Sequence, residues 1–233
     1  VEIFAKEGAK ILATDINGEP TARLQNALES HPSNIKYVSG DMTEGADLDR
    51  IVRETVSSYG HIDVLFNNHG VMVGSPLLET TEEELDLVLR VNVRSSFLLC
   101  QKVAKSMVDK GIEGSIILNS SVGGLIGFPD MAAYGASKAG VAQLSRSMAN
   151  DLRDHKIRVN AVAPGGIDTP MPHKYLEKFE DREAIWKAME QAHLTGRLGR
   201  PEEVIWLVVF LASDEASFMN GSVVTVDGGY SCV

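Results

Sequence analysis

This 233-residue chain has no basic excess, no metal-ligand spacing and no long apolar run. Lysine and arginine number 22 against 32 aspartates and glutamates, a formal net charge of -10. That balance argues against nucleic acid or an anionic membrane as a main partner. Cysteines number two, Cys100 and Cys232, with no C-x-x-C pair. No disulfide framework follows, so the expectation is a reducing compartment and a cytoplasmic location. The six histidines (His31, His61, His69, His155, His173 and His193) stand at no metal-binding spacing, so no metal is expected. No apolar stretch is long enough to cross a bilayer, so no membrane partner is expected.

What the chain does have is alternation. Strand-like runs fall at about 10–16, 35–40, 62–67, 115–120, 157–162 and 222–226. They are short, β-branched and nearly continuous in apolar character, as parallel strands covered on both faces are. Helical segments fall between them at about 20–30, 44–59, 81–110, 131–154 and 201–212. This rhythm predicts an α/β fold, a Rossmann-like doubly wound parallel sheet flanked by helices, with residues 1–233 forming one domain. The stretch from 169 to 198 breaks the rhythm and reads as short helices over a cleft, a lid that closes on substrate; a surface excursion is the plainer alternative. The opening residues Val1 to Gly8 look like the last turns of an amphipathic helix. A nucleotide-binding sheet of this kind should place a central strand and a glycine-rich turn before that helix. The expectation is that both are missing because the sequence is incomplete, since a sheet without its central strand exposes the edges of two neighbours.

The most telling residues are Tyr134 and Lys138 in Ala133-Tyr134-Gly135-Ala136-Ser137-Lys138, with Ser121 ending the fourth apolar run. Four residues apart on a helix, a phenol and an ammonium share one face. A tyrosine ordinarily ionises near ~10, and a neighbouring cation lowers that value. Such a pair occurs by chance in many amphipathic helices. Here it opens a helix that follows a strand end and the glycine-rich loop 122–127, where α/β enzymes place their chemistry. The expectation is a site that interconverts an alcohol and a carbonyl.

With those three residues in place, the chain resembles the short-chain dehydrogenase/reductase family over essentially its whole length. Asn67-Asn68-His69-Gly70 matches the family's Asn-Asn-Ala-Gly element, with His69 replacing alanine. Val91-Asn92-Val93 matches the helix asparagine of its tetrad, Pro164-Gly165-Gly166-Ile167-Asp168-Thr169 its Pro-Gly segment, and Val226-Asp227-Gly228-Gly229 its last strand and turn. Five motifs in order make the resemblance specific.

The resemblance implies that Tyr134 exchanges the proton while a hydride moves to or from a nicotinamide, and that Ser121 polarises the substrate oxygen. Lys138 would lower the Tyr134 pKa and bind the nicotinamide ribose beside it, and Asn92 would hold a water that links Lys138 to solvent. Without the family, Asn92 reads as a helix residue bonding local backbone. Asp15 at the end of the second strand of such a sheet can bind the adenosine ribose and repel a 2′-phosphate, favouring NAD over NADP; a turn-capping role is the alternative. By resemblance Asp41, Asn67 and Gly70 line the adenosine side, and Pro164, Gly165, Ile167 and Thr169 hold the nicotinamide end. Gly123, Gly124, Phe128, Met131, Gly166 and the lid from 171 to 194 are expected to line a largely apolar substrate pocket.

The implied function is an oxidoreductase moving a hydride between NAD(H) and a secondary alcohol or ketone, a small-molecule substrate. The alternatives are an NADPH-dependent 3-oxoacyl thioester reductase and a non-catalytic nucleotide-binding relative. Family members usually assemble as dimers or tetramers through the helices that hold Asn92 and Tyr134, so a homo-oligomer is expected.

Overall fold

Short apolar runs bounded by glycine, asparagine and charged residues become strands here, and the amphipathic stretches between them become covering helices. The computed structural model describes residues 1–232. In chain order the elements are α1 (Glu2–Lys6), β1 (Ile11–Asp15), α2 (Ala22–Ser30), β2 (Ile35–Ser39), α3 (Gly45–Tyr59) and β3 (Val64–Asn67). Then come α4 (Glu82–Val88), a π-helical turn (Leu89–Arg94), α5 (Ser95–Lys110), β4 (Ser115–Asn119), a 3-10 turn (Val122–Gly124) and α6 (Ala132–Asp151). The last part holds β5 (Arg158–Pro164), α7 (Pro170–Leu176), α8 (Arg182–Gln191), α9 (Pro201–Ala212) and β6 (Val223–Val226).

All ladders are parallel, and the sheet lies in two pieces: β1 pairs with β2, while β3, β4, β5 and β6 pair in that order. Between the pieces β1 and β3 turn unpaired edges toward one cavity, lined by Leu12 and Ala13 on one side and Leu65 and Phe66 on the other. The α/β architecture is the one expected from sequence, but the sheet is not continuous.

Strand periodicity decides which face each side chain covers. Ile116 and Leu118 of β4 face α3, α5 and α6, joining Leu48, Val103, Met107 and Val141 in the larger core. Ile117, between them, points the other way and packs with Val162 of β5 and Val204, Val208 and Leu211 of α9. A small separate cluster of Ala5, Ala27 and Ile35 covers the two-stranded piece.

The helix expected over 81–110 is interrupted. α4 starts on a capping box in which Thr81 and Glu84 satisfy each other's backbone N–H groups, and it runs into the π turn before α5 begins. Such a turn carries one residue more than an α turn, with no signature in composition. The helix expected over 131–154 ends at Asp151, followed by a 3-10 turn (Arg153–His155). The 169–198 stretch folds into α7 and α8, each packed against the other. Among the described residues no helix is long and apolar enough to cross a membrane.

Candidate active site

Strand ends and helix starts converge on one cleft. β4 delivers Ser121, the chain then doubles back through the 3-10 turn, and α6 opens with Tyr134 and Lys138. The close approach is possible because Gly124 has no side chain: a Cβ there would lie 2.6 Å from the backbone of Lys138 and Ala139. That contact seats the serine loop on the helix carrying the tyrosine. It also corrects one expectation, since Gly124 faces α6 and Gly123 faces Phe128, and neither lines the cleft.

Ser121 Oγ accepts the Gly123 N–H at 3.0 Å. Its own hydrogen points to a second acceptor, the Tyr134 phenol oxygen beside it. Its hydroxyl lies beside the Tyr134 phenol and favours the ionised form, but burial outweighs it and raises the Tyr134 pKa above the ordinary 10.0. The expected lowering by Lys138 is not found. The Lys138 ammonium sits 5.9 Å from the tyrosine ring centroid and donates to the Asn119 carbonyl at 2.8 Å. Burial also lowers Lys138 itself, from 10.5 to about 8.

Asn92 lies in the π turn, almost wholly buried, and its amide is fully engaged. It accepts the Val71 N–H at 2.8 Å and donates to the Val71 carbonyl and to Ser137 Oγ, both at 2.9 Å. The side chain thus clamps the 67–72 loop to α6. Of the expected catalytic and cofactor-binding residues, Asn92 is the one that does not line the cavity. His69, the departure from the family's alanine, is largely buried next to it. Its Nε2 is 2.5 Å from Ser95 Oγ, and Ser95 in turn donates to the Val91 carbonyl. Burial first, and then the Lys138 charge, lower the His69 pKa from 6.5 to about 4.

Ser121, Tyr134 and Lys138 share one cavity of about 2230 Å³ with Asp15, Asp41, Asn67, Gly70, Pro164, Gly165, Ile167 and Thr169. This volume includes the slot between β1 and β3. Asp15 accepts from the Asn17 N–H at 3.0 Å and from its side-chain amide at 2.6 Å, so the turn-capping role and an exposed carboxylate coexist. Asp41 accepts from the Thr43 N–H and hydroxyl, both at 2.8 Å, through one oxygen only. Thr169 donates to the Ile167 carbonyl at 3.3 Å.

A dinucleotide fits this wall. The buried Asn67 amide lines the cavity with neither its oxygen nor its nitrogen paired, and the buried Asn119 Oδ1 is also unpaired. A Cβ at Gly70 would lie 3.1 Å from Asn92 Oδ1 and 3.3 Å from Lys138 Nζ, so the glycine leaves room beside the lysine. No group of three or more His, Cys, Asp or Glu side chains could hold a metal among the described residues.

Three contributors stand out on the substrate side: His193 and Tyr175 lie within the lid expected to line the pocket, and Tyr230 lies outside every expected segment. His193, at the end of the lid, is buried; its Nε2 accepts the Gly166 N–H at 3.0 Å and its Nδ1 lies 2.7 Å from the Met189 carbonyl. One nitrogen accepts, so the other carries the proton and donates to Met189. Tyr230 enters from the C-terminal end, 4.9 Å from the His193 ring and 5.2 Å from Phe128, centroid to centroid. The signal for it was Gly228-Gly229, whose φ angles of +57° and +82° turn the chain back from β6 to the cleft. Tyr175 of α7 lies over Gly74 on the far wall.

The family model described as enoyl-(acyl carrier protein) reductase matches residues 1–231. A 3-oxoacyl-(acyl-carrier-protein) reductase of Thermotoga maritima is 40% identical over 227 residues, 97% of this chain and 89% of that protein. A cyclopentanol dehydrogenase of Comamonas sp. is 36% identical, with 98% of this chain and 90% of that protein covered. The crystal structure of levodione reductase superposes with a TM-score of 0.94 at 34% identity, covering 100% of this chain and 92% of that one. The structure of ElxO with NADP bound gives 0.89 at 28% identity, covering 99% and 92%.

Proposed function

The chain belongs to the short-chain dehydrogenase/reductase family, whose members bind NAD or NADP, and from that premise we propose that this oxidoreductase reduces a ketone to a secondary alcohol with NADH. The observation that carries the reading is the pairing of two hydroxyls at the cavity wall. Ser121 accepts from the Gly123 N–H and has its hydrogen to donate, and beside it lies Tyr134, buried and with its pKa raised by that burial. A carbonyl oxygen placed between them accepts from Ser121 and receives the Tyr134 proton as it becomes an alkoxide.

The nicotinamide, when bound, supplies or accepts the hydride. Asp15, Asp41, Asn67 and Gly70 would hold its adenosine side, and Pro164, Gly165, Ile167, Thr169 and Lys138 its nicotinamide side. The chain's own part is acid–base and steric. With its pKa raised by burial, Tyr134 carries the proton that the ketone oxygen takes up in reduction, and the same group would accept it back in alcohol oxidation. Lys138, with a pKa of about 8, keeps most of its charge at neutral pH and offers a cation to the phenolate left after transfer. Asn92 fixes the loop over Lys138, and the lid and Tyr230 narrow water's access to the oxygen.

Asp15 supports NAD, because its exposed carboxylate would face a 2′-phosphate. A second reading, an NADPH-dependent 3-oxoacyl thioester reductase, draws support from the 40% identity to the Thermotoga protein. A dimer or tetramer, by family resemblance, and a cytoplasmic location, from the lack of a disulfide framework in the sequence, remain part of the proposal. One assay tests it: nicotinamide absorbance followed with NADH or NADPH over a panel of ketones, beside a Tyr134→Phe control. Ketone-dependent NADH oxidation that the variant lacks is the expected result. A clear preference for NADPH overturns the NAD assignment, and no turnover with any ketone or alcohol overturns the reaction.

A further inference from the structure

The substrate side of the cleft is closed at one end by a contact between the lid and the loop after Gly70. A Cβ at Gly74 would lie 2.5 Å from Tyr175 Cε2, 3.0 Å from its hydroxyl and 3.0 Å from Met131 Cε. The tyrosine ring therefore rests on bare glycine backbone, against the residue three before Tyr134. Two further contacts hold it there. Lys178 donates to the Gly74 carbonyl at 3.0 Å with its ammonium 5.5 Å from the Tyr175 ring centroid. Phe179 meets the same ring edge-on at 5.3 Å. The loop cannot simply swing away, because the Ser75 N–H donates to the Asp130 carbonyl at 2.8 Å, next to Met131.

Side-chain chemistry points the same way. Phe128, Met131, Met171, Tyr175, Met189 and Tyr230, which line the cavity, are all uncharged, and Lys178, the cation at Gly74, is tied to that residue's carbonyl. A compact neutral molecule finds apolar and aromatic walls and no ionic partner. A substrate trailing a long acyl chain past Gly74 must first lift Tyr175 from its glycine seat.

Resting on the hydride-transfer reading above, we propose that Tyr175, seated on Gly74 and tethered by Lys178, determines specificity by closing the pocket to all but compact, uncharged ketones and alcohols. Gly74 is then an element of selectivity: a methyl group there displaces the ring.

The test compares the wild type with Tyr175→Ala, Gly74→Ala and Tyr175→Phe. Reduction of cyclohexanone and of a long-chain 3-oxoacyl thioester of N-acetylcysteamine is measured as kcat/KM, with cofactor affinity read from nicotinamide fluorescence and lid closure from proteolysis within 169–198. The wild type is expected to favour the cyclic ketone. Tyr175→Ala and Gly74→Ala are each expected to shift the ratio toward the thioester by roughly tenfold or more, the scale of a hydrophobic pocket's discrimination. Both should be cut faster in the lid, with cofactor affinity unchanged, while Tyr175→Phe keeps the wild-type ratio. An unchanged ratio in both opened variants overturns the proposal, as does a wild type that already takes the thioester as well as the ketone. The hydride-transfer reading fails separately, if the wild type binds cofactor yet reduces neither substrate; specificity falls with it, and unaltered lid cleavage would show that the Gly74 seat is not a closure either.

Discussion

Replacing His69 with alanine is expected to flatten the acid limb of the stability profile. The Ser95 hydroxyl spends its hydrogen on the Val91 carbonyl, so it can only accept from His69, and His69 Nε2 must carry the ring's proton. A neutral imidazole satisfies that arrangement; a second proton adds charge in a largely buried place near Lys138. The folded-state value of about 4 lies below the ordinary 6.5. Protons therefore bind the unfolded chain first as pH falls, and stability fully present above about pH 7 declines toward pH 4. For a single group moved from 6.5 to about 4, the loss between about pH 7.5 and pH 5 is about 2 kcal/mol. Urea unfolding followed by circular dichroism at both pH values, in wild type and variant, isolates this part. The variant also loses a contact, which offsets its stability at every pH, so only the difference in pH slope counts. Equal slopes, or a His69 midpoint near 6.5 in an NMR titration, would refute the burial argument.

Tyr134→Phe should cut ketone reduction by ~10²–10⁴-fold while nicotinamide fluorescence still reports binding. Because burial raises the Tyr134 pKa while Lys138 loses its charge near pH 8, reduction should hold steady through neutral pH and decline in the alkaline range, while alcohol oxidation climbs there; a reductive midpoint below about pH 7 would contradict it. Asp15→Ser should raise the kcat/KM of NADP relative to NAD roughly tenfold, since charges about 4 Å apart near a surface interact by about 1–4 kcal/mol. Gly124→Ala forces a methyl group against the Lys138 and Ala139 backbone, so it should destabilise the protein by about 1–3 kcal/mol, read as a lowered urea midpoint. It should also lower kcat further than loss of folded protein explains, by parting Ser121 from Tyr134.

Local rules carried most of the fold. α9 occupies 201–212 as expected, and β1, with Ile11 and Asp15 at its ends, sits inside the expected 10–16. Both follow from periodicity and end signals that a dozen residues contain. The π turn did not, because Leu89 to Arg94 has the composition of ordinary helix and only the pull of Val71 and Ser137 on Asn92 reveals the extra residue. Among site residues, spacing located Ser121, Tyr134 and Lys138, since motifs at strand ends are local. Tyr175 and His193 fell within the expected lid, but their particular contacts with Gly74 and Gly166, far along the chain, follow no local pattern; Tyr230 was marked only by the Gly228-Gly229 turn before it. The direction of the Tyr134 shift was misread for a related reason. Proximity to a lysine can be counted on a helical wheel, but the depth at which both are buried cannot.

The π turn also fixes a number. Deleting any one of residues 89–94 would let α4 and α5 merge into a single regular helix, turning one about the other by ~100°. Asn92 holds Val71 on one side and Ser137 on the other, so after such a turn it could keep at most one of them. Many side chains in this segment can be exchanged without that loss. Its length cannot change, and descendants of this chain can drift in spelling here while the count of letters stays constant.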